Sequence, residues 1–350
     1  DRDEGLSLLV RLSLVNWEPE SDRFWMLPLV QEYARAELEQ ADFRDDMRKR
    51  WLAWARDFAL RYGADLDVHI ENAPRFAAEY PNLRLAFHWC IEHEQWEDLL
   101  TLADGLWFYP YLAGLLEEAH EIAEMDIKAA RSLGDLSREA RSMRHLGLVV
   151  WEQGNRSQGE ELFQQAASIA QRCQDWREFG LALIRLAGCL IDRGELKEGK
   201  STALRALSIG EEVEDRYIQG LAAYWISVAE SKEGNLKSSL EWLDEGEIWA
   251  RELGWSRALT WYLLRRGANL MEAGRYAEAE RYLLRAMETI TWDEPRFFAQ
   301  AKYYLAHTYQ KTGRPELARR TAEEARDLAE RIGMGALRKD AEALLWELQE

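Results

Sequence analysis

The sequence predicts an all-α protein, an α-solenoid of helix pairs with a period of about 40, behind a small N-terminal segment with a β-hairpin. Two observations predict the solenoid: a glycine recurs at almost constant spacing (40, 40, 40, 40 and 39), and small residues lie at fixed distances from it. A glycine after a helical pattern supplies the left-handed residue that closes a helix, so each one marks a helix–turn–helix unit. The six glycines are Gly114, Gly154, Gly194, Gly234, Gly274 and Gly313.

Small side chains fill three further columns, which lie seven residues before, five after and twelve after the last five glycines. Small residues at a fixed phase let helix axes approach closely, as the packing of ridges into grooves requires. The columns therefore predict the lines along which the helices pack. They contain Gly147, Ala187, Ser227, Gly267 and Ala306, then Gly159, Gly199, Ser239, Ala279 and Ala318, then Ala166, Ala206, Gly246, Ala286 and Ala325.

These columns lie where the tetratricopeptide repeat (TPR) keeps its small residues, so residues 75–350 resemble a TPR-like repeat sensor domain. The usual TPR period is about 34 residues. Because no Gly/Pro-rich loop is available to hold the additional residues, we expect longer helices. Gly333 and Gly335 precede an apolar-periodic stretch, residues 336–348, which predicts a C-terminal capping helix for the last repeat.

The composition excludes several classes of function. The 350 residues include 45 Lys and Arg against 63 Asp and Glu, a net charge of −18. This charge argues against nucleic-acid and anionic-membrane partners, because both require a basic face. No apolar run approaches the roughly 18–20 residues of a membrane-spanning helix, and the first residues do not resemble a signal peptide. Three Cys in a chain of this length fit a reducing compartment. We expect a cytoplasmic protein, and Asp1 in place of Met suggests a piece of a longer one.

Residues 1–38 have a different pattern from the repeats. Leu6 to Leu14 is typical of the end of an amphipathic helix, and two β-prone runs, residues 14–17 and 23–26, predict a hairpin. Pro28 is favourable at a first helical position, so we predict a helix from there to Leu38. Helix, hairpin and helix in this order are typical of the end of a winged-helix domain. We assign residues 1–38 to a winged-helix remnant and residues 39–74 to a helical connector.

Residues 9–38 resemble the winged-helix end of STAND ATPases of the NB-ARC type (signal-transduction ATPases with numerous domains). Residues 79–119 resemble the segment that opens the repeat sensor of bacterial members, with specific matches at Asn82-Leu83-Arg84 and from Leu106-Trp107 to Gly114. The resemblance implies an upstream nucleotide-binding domain that holds ADP or ATP, a winged helix packed on it and a repeat array that senses a signal. The family commonly carries a His that contacts the ADP phosphate where this chain has Leu27, an apolar residue that cannot donate a hydrogen bond.

Residues 194–201 satisfy the P-loop pattern G-x-x-x-x-G-K-[ST], with Lys200 and Ser201 at the phosphate- and Mg²⁺-contacting positions. A P-loop requires a strand before it, and residues 179–192 have helical periodicity instead. Gly194 and Gly199 also fall in the turn and small-residue columns of the repeat. We therefore interpret the match as a coincidence of the repeat.

Other chemistry-bearing residues do not assemble into a site. His88 and His93 are five residues apart, a separation that points two side chains of one helix away from each other, and no second cluster completes a tetrahedral zinc site around them and Cys90. We predict no catalytic, metal or cofactor site in this chain.

The concave face of the array is the predicted binding site. In a TPR-like array the first helix of each pair lines this face, at positions ten and three before each glycine, with additions at thirteen and six. Aromatic, Arg and His residues at these positions suit a peptide or a partner helix. Alternatively, longer helices curl tightly and bury the same residues as core; both interpretations remain open. The candidates are Arg144, Trp151, Tyr224, Trp261, Tyr303 and His307.

The sequence thus predicts a non-catalytic sensor or regulatory module of a STAND-type ATPase. Its expected partners are a protein, peptide or small-molecule signal in the groove and the upstream nucleotide-binding domain, with an oligomer possible on activation. One alternative is a stand-alone TPR peptide receptor with no ATPase upstream. A further alternative is an NTPase that uses residues 194–201.

Overall fold

The computed structural model describes residues 2–20, 22–290 and 294–348. The all-α solenoid predicted from the sequence is confirmed, and within the described residues the β-structure is one two-stranded hairpin. The chain forms two compact units, residues 1–55 and residues 56–350.

The first unit follows the predicted order of helix, hairpin and helix. Helix α1 spans Arg2–Arg11, strands β1 and β2 span Asn16–Glu18 and Arg23–Trp25, and helix α2 spans Pro28–Gln40. The strands are antiparallel with Trp17 opposite Phe24, and Ser21 in the turn lies outside the described residues. Helix α2 begins at the proline because a first helical residue has no need of a free N–H. Helix α3, Arg44–Gly63, contains the boundary between the units.

The second unit is built from helices in sequence-adjacent pairs. A segment of turns, residues 64–69, and a short 3₁₀ helix, Ile70–Asn72, lead into it. The helices are α4 Ala73–Glu92, α5 Trp96–Leu106, α6 Phe108–Ala113, α7 Leu116–Leu133, α8 Leu136–Glu152, α9 Arg156–Arg172, α10 Trp176–Asp192, α11 Leu196–Glu212, α12 Arg216–Lys232, α13 Leu236–Leu253, α14 Ser256–Glu272, α15 Tyr276–Glu288, α16 Pro295–Lys311, α17 Pro315–Arg331 and α18 Gly335–Glu347.

Long helices account for the length of the repeat, as predicted. From α8 to α12 every helix has 17 residues. Three residues separate each of these helices from the next, so a helix pair with its two turns reproduces the spacing of the repeat glycines. The additional residues therefore extend the helices and do not form a loop.

The small columns lie where the two helices of a pair touch. A Cβ added to Gly147 on α8 would come within 2.6 Å of the Phe163 ring on α9. Two pairs further on, the Ser239 hydroxyl donates to the Ser227 carbonyl oxygen at 2.9 Å. A larger side chain in either column would force the helices apart.

Left-handed residues close the turns. The six repeat glycines all have positive φ, with 95° at Gly154 and 72° at Gly313. A second series ends the second helices at Gly134, Gln174, Glu214 and Gly254, with φ of 61° at Gln174 and 54° at Glu214. The sequence pattern did not reveal this series, because two of its members are not glycine.

The first helices of the pairs form the inner layer, since α8 packs on α10, α10 on α12 and α14 on α16 in addition to their own partners. At the C-terminal end, the predicted final helix is observed as α18, whose Leu344 and Leu345 pack against Ala306 and Ala322. Among the described helices, none combines the length and apolar character that crossing a bilayer requires.

Candidate ligand-binding groove

A cavity of about 450 Å³ opens on the inner layer of the second unit. Residues from α8, α10 and α12 form one side of it. Asp104 and Trp107 at the end of α5 contribute to the wall, together with segment 64–69. The cavity thus lies between the repeats and a segment that precedes them in the chain.

Segment 64–69 is held at both sides. Leu66 is buried in a cluster with Ile70 and Phe108, which ties the segment to α6. On the other side the Asp67 carboxylate accepts a hydrogen bond from Tyr217 Oη at 2.7 Å and one from Arg257 Nη1 at 2.5 Å. One acidic side chain therefore joins the segment to α12 and α14.

Arg257 is the centre of this junction. Its side chain is only 11% exposed, and its Nε donates to Glu294 at 2.5 Å. The guanidinium carbon lies 4.7 Å from the ring centroid of Trp261 and 5.3 Å from that of Phe297. Two carboxylates and three aromatic faces, the third that of Phe108 at 5.4 Å, thus compensate a buried cation, as its removal from water requires.

Charged side chains are paired along the rest of the cavity wall. Arg144 on α8 is 6% exposed and donates through Nε to Glu178 at 2.9 Å. Arg141 donates to Asp104 at 2.8 Å. Asp215 receives an ion pair from Arg177 at 2.7 Å, and also caps the N-terminus of α12 by accepting from the backbone N–H of Tyr217 and Ile218. The N-cap explains why an aspartate stands at this position.

His145 also lines the cavity. It is 4% exposed and stacks on Trp107 with the ring centroids 3.6 Å apart and the planes inclined by 10°. Burial, together with the neighbouring Arg144 and Arg141 guanidinium groups, lowers the pKa of His145 well below its ordinary value. The imidazole is therefore neutral at physiological pH.

A buried carboxyl lies behind this wall. Asp126 on α7 is 4% exposed, its Oδ2 accepts a hydrogen bond from Ser142 Oγ at 2.5 Å, and its Oδ1 has no hydrogen-bond partner within the described residues. Burial raises the pKa of Asp126 to about 7. The Asp126 carboxyl is therefore mostly protonated below about pH 7.

A second cavity of about 350 Å³ lies further along the inner layer, beside Tyr111, Arg257 and Glu294. Near it, Arg296 at the start of α16 forms an ion pair with Glu152 at the end of α8 at 3.3 Å. Glu152 also accepts a hydrogen bond from Tyr111 Oη at 3.2 Å. Residues from distant repeats therefore meet inside the array.

The structure distributes the six candidate residues over several places. Arg144 lines the 450 Å³ cavity. Tyr224 and Trp261 are half-buried neighbours with ring centroids 6.4 Å apart. Tyr303 and His307 are joined by a contact of 3.1 Å between Oη and Nε2. Trp151 lies apart from these, 6.5 Å from the Phe163 ring.

Sequence reasoning missed most of the cavity wall. His145 stands nine residues before its glycine rather than ten, and Arg177 and Tyr217 stand seventeen before theirs. The prediction used only four positions of each inner helix. Had it included all positions on the same side of the helix, from the first turn onwards, these columns would have been found. Segment 64–69 carried no such signal, because it lies in the residues assigned to the helical connector.

The P-loop-like stretch lies at the turn between α10 and α11. The residues before it are helical where a P-loop requires a strand, and Gly199 is buried against Ile191 and Ala187. Lys200 Nζ lies 3.0 Å from Glu230 and 2.8 Å from Glu233, so its charge is already compensated.

The His and Cys residues of α4 have ordinary surroundings. Cys90 is buried, His93 stacks on Trp89, and His88 contacts Arg84. Within the described residues no group of His, Cys, Asp and Glu side chains is arranged to hold a metal ion.

Comparison with solved structures places this architecture among known folds. A Rap protein complexed with competence and sporulation factor matches with a TM-score of 0.59 at 11% identity, over 92% of this chain and 91% of that one. NprR in complex with its cognate peptide NprX matches with a TM-score of 0.51 at 15% identity, over 85% of this chain and 82% of that one. The chain is a TPR-like α-solenoid.

A STAND protein with a tetratricopeptide repeat sensor from Pyrococcus horikoshii matches this solenoid with a TM-score of 0.50 at 16% identity. The match covers 98% of this chain and 54% of that protein, so the solenoid chain spans about half the length of the STAND structure. No protein-family model and no curated protein matches the chain. At such low identities the structural likeness establishes the fold.

Proposed function

We propose that this chain is a regulatory sensor module that binds a peptide or an extended protein segment in the groove on its inner layer. The observation that carries the proposal is the 450 Å³ cavity, whose wall combines an aromatic face at Trp107 with charged groups at Arg141 and Arg177. Concave sites with apolar surfaces and a few placed polar groups are typical of ligand recognition. The peptide-bound NprR structure, which has a similar fold, supports this class of ligand.

Segment 64–69 gives the groove a means of responding to a ligand. It forms part of the cavity wall and is tied to the repeats through Asp67. A ligand that fits only one position of this segment shifts the equilibrium by its differential affinity for the two states. Binding in the groove is thereby coupled to the residues that lead into the repeats.

We further propose that the module belongs to a STAND-type ATPase and is non-catalytic by itself. The sequence resemblance of residues 9–38 and the helix–hairpin–helix order of the first unit support a winged-helix assignment for residues 1–38. Residues 39–74 would connect it to the sensor domain, residues 75–350. A nucleotide-binding domain upstream, a cytoplasmic location and assembly into oligomers on activation complete this proposal.

The second candidate is a stand-alone peptide receptor. The match to the Rap protein favours it, because that match covers 91% of the Rap chain, whereas the match to the STAND structure covers 54% of that protein. The sequence encoded before Asp1 distinguishes the two candidates: a P-loop that follows a strand there supports the STAND proposal, and its absence supports the receptor.

Selection of peptides from a random library on the full chain tests the groove. Arg177→Glu reverses a charge at the cavity wall, at a side chain that is 54% exposed, and circular dichroism verifies that the variant is folded. Arg172→Glu makes the same change at an exposed position of the outer helix α9. Selected peptides should bind the Arg177 variant at least about tenfold more weakly, a loss of ~1.4 kcal/mol, and the Arg172 variant unchanged. A failure to select any peptide, or equal loss in both variants, would refute the proposal.

The six residues predicted from the sequence are part of the same proposal. Arg144 would contact a ligand in the 450 Å³ cavity. Tyr224 and Trp261 are half-buried beside the junction at Arg257, where an extended ligand would pass. Trp151, Tyr303 and His307 would contact only a ligand that follows the groove along several repeats.

A further inference from the structure

A row of polar side chains that bind carboxylates runs along the inner layer. It is formed by the second residue of each inner helix from α10 to α16, seventeen positions before the repeat glycine. The row comprises Arg177, Tyr217, Arg257 and Arg296. Arg177 pairs with Asp215 at 2.7 Å, and Arg296 pairs with Glu152 at 3.3 Å. Each end of the row therefore binds a carboxylate that the repeats themselves supply.

The centre of the row binds a carboxylate from outside the repeats. Oδ2 of Asp67 accepts from Tyr217 Oη at 2.7 Å, and Oδ1 accepts from Arg257 Nη1 at 2.5 Å. The Arg257 side chain is only 11% exposed, and the Tyr217 ring lies 4.5 Å from that of Trp255, so packing holds both donors in position. Tyr217 and Arg257 thus form a site for one carboxylate, with a donor for each of its oxygen atoms.

The residue after Asp67 also contacts the repeats. Val68 packs against a buried apolar cluster of the repeats, which includes Ile218 on α12 and Trp255 before α14. Leu66 instead belongs to the cluster that ties the segment to α6. Segment 64–69 therefore presents to the groove an acidic side chain followed by an apolar one.

Side chains alone attach segment 64–69 to the repeats. Its backbone hydrogen bonds are local, from the Leu66 N–H to the Gly63 carbonyl oxygen at 3.2 Å and from the Val68 N–H to the Asp65 carbonyl oxygen at 3.0 Å. Among the described residues, no backbone hydrogen bond joins the segment to a repeat helix. A ligand that offers the same side-chain groups can therefore replace the segment without breaking a backbone hydrogen bond between the segment and the repeats.

We propose that segment 64–69 is an internal pseudo-ligand, and that the groove binds a peptide whose acidic side chain replaces Asp67 between Tyr217 and Arg257. An apolar residue after the acidic one takes the place of Val68. The inference rests on the proposed peptide-binding function and names the group that is recognised and the segment that is displaced. The net charge of −18 disfavours acidic ligands elsewhere on the chain, so a preference for one is specific to such a site.

Two pools of N-acetylated, amidated heptapeptides test the recognised group. Both pools omit Asp and Glu at the variable positions. One pool carries aspartate followed by valine at its centre, and the other carries asparagine followed by valine, which keeps the shape and removes the charge. Each pool is equilibrated with the full chain, and the retained peptides are quantified by mass spectrometry.

The chain with Asp67→Ala, in which the site is vacated, should retain the aspartate pool at least about tenfold more than the asparagine pool, a difference of ~1.4 kcal/mol. The wild type should show the same preference but retain the aspartate pool at least about tenfold less than this variant does. The reason is that its tethered segment competes at a high effective concentration.

Two further variants assign the preference to the site. Tyr217→Phe, added to Asp67→Ala, removes the hydroxyl donor but keeps the ring beside Trp255, and should reduce the preference severalfold. Glu211→Ala removes a carboxylate at an exposed position of the outer helix α11 and should behave like the wild type. This control separates a vacated site from a change in net charge. Circular dichroism verifies that each variant is folded before its retention is compared.

A measurement on the wild type tests the displacement without any substitution. The peptide of the aspartate pool that is retained most strongly, added in excess, should accelerate the hydrogen exchange of residues 64–72. Unchanged exchange in the peptide-bound chain would overturn the displacement of the segment.

The other failures are distinguishable. Equal retention of the two pools by the Asp67 variant would overturn the carboxylate site and leave the peptide-binding function intact. Equal retention of the aspartate pool by the wild type and the Asp67 variant would overturn the role of the segment as a pseudo-ligand. Retention of neither pool by either chain would overturn both the site and the proposed function.

Discussion

Tyr217 donates a hydrogen bond to Asp67 at 2.7 Å although the two residues are 150 positions apart in the chain. The second oxygen of Asp67 accepts from Arg257, 190 positions away. Burial raises the pKa of Tyr217, so its hydroxyl remains a donor at physiological pH. This carboxylate, 13% exposed, therefore fixes segment 64–69 against the inner helices.

Replacement of Asp67 by Ala should release segment 64–69 while the repeats remain folded. Arg257 keeps Glu294 as a partner, so we expect a loss of about 2 kcal/mol, below the roughly 3–5 kcal/mol of a fully unpaired buried charge. Hydrogen exchange of residues 64–72 should accelerate, as measured by mass spectrometry. Asp65→Ala, at an exposed position of the same segment, is the control and should exchange like the wild type. Unchanged exchange in the Asp67 variant would mean that Leu66 alone holds the segment.

The repetitive part of the fold was predictable because its packing is local. Each turn glycine and each small residue acts within one helix pair, as Gly147 against Phe163 does, so the same constraint recurs at the same spacing. The front-end helices and hairpin were predictable for a similar reason, since turn residues and Pro28 act on their immediate neighbours.

The groove was predictable only in outline. The sequence indicated an inner face. Contacts such as that between Asp67 and Arg257, however, depend on the curvature of the array, which brings a late repeat next to the segment before the first repeat. No spacing rule encodes a meeting of side chains so far apart in the chain. The one-residue difference between Arg144 and His145 also decides which side chain pairs with Glu178 and which stacks on Trp107, and helical phase read from the sequence does not reach that precision.

The small-residue columns predict a sharp cost of enlargement. Ala286 is fully buried in the column twelve residues after Gly274. Ala286→Leu should lower the stability by about 1–3 kcal/mol through overpacking, and Ala166→Leu should do the same. Ala277→Leu, at an exposed position of the same helix as Ala286, should change little. Thermal unfolding measures all three, and equal melting temperatures would contradict the assigned packing.

The P-loop-like stretch should have no nucleotide-dependent role. Lys200→Ala removes a partly exposed ion pair with Glu230 and Glu233, which contributes at most about 1 kcal/mol. Calorimetric titration with Mg-ATP should give no binding heat for the wild type or the variant. Binding to the wild type that disappears in the variant would restore the NTPase hypothesis.

The buried carboxyl of Asp126 should make the stability pH-dependent. Its pKa is about 7 in the folded chain, against an ordinary value near 4, so the folded state holds this proton more tightly than the unfolded state does. The stabilisation is complete below about pH 4 and is lost as the pH rises through 7, which amounts to a loss of about 2 kcal/mol between about pH 5.5 and pH 8.

Asp126→Asn should remove this part of the pH dependence, because an amide does not titrate. Glu117→Gln, an equal change of charge at an exposed position of α7, should keep it. Urea unfolding at the two pH values measures the difference. Equal pH dependence in the wild type and the Asp126 variant would contradict the raised pKa and mean that water reaches this carboxylate in the folded chain.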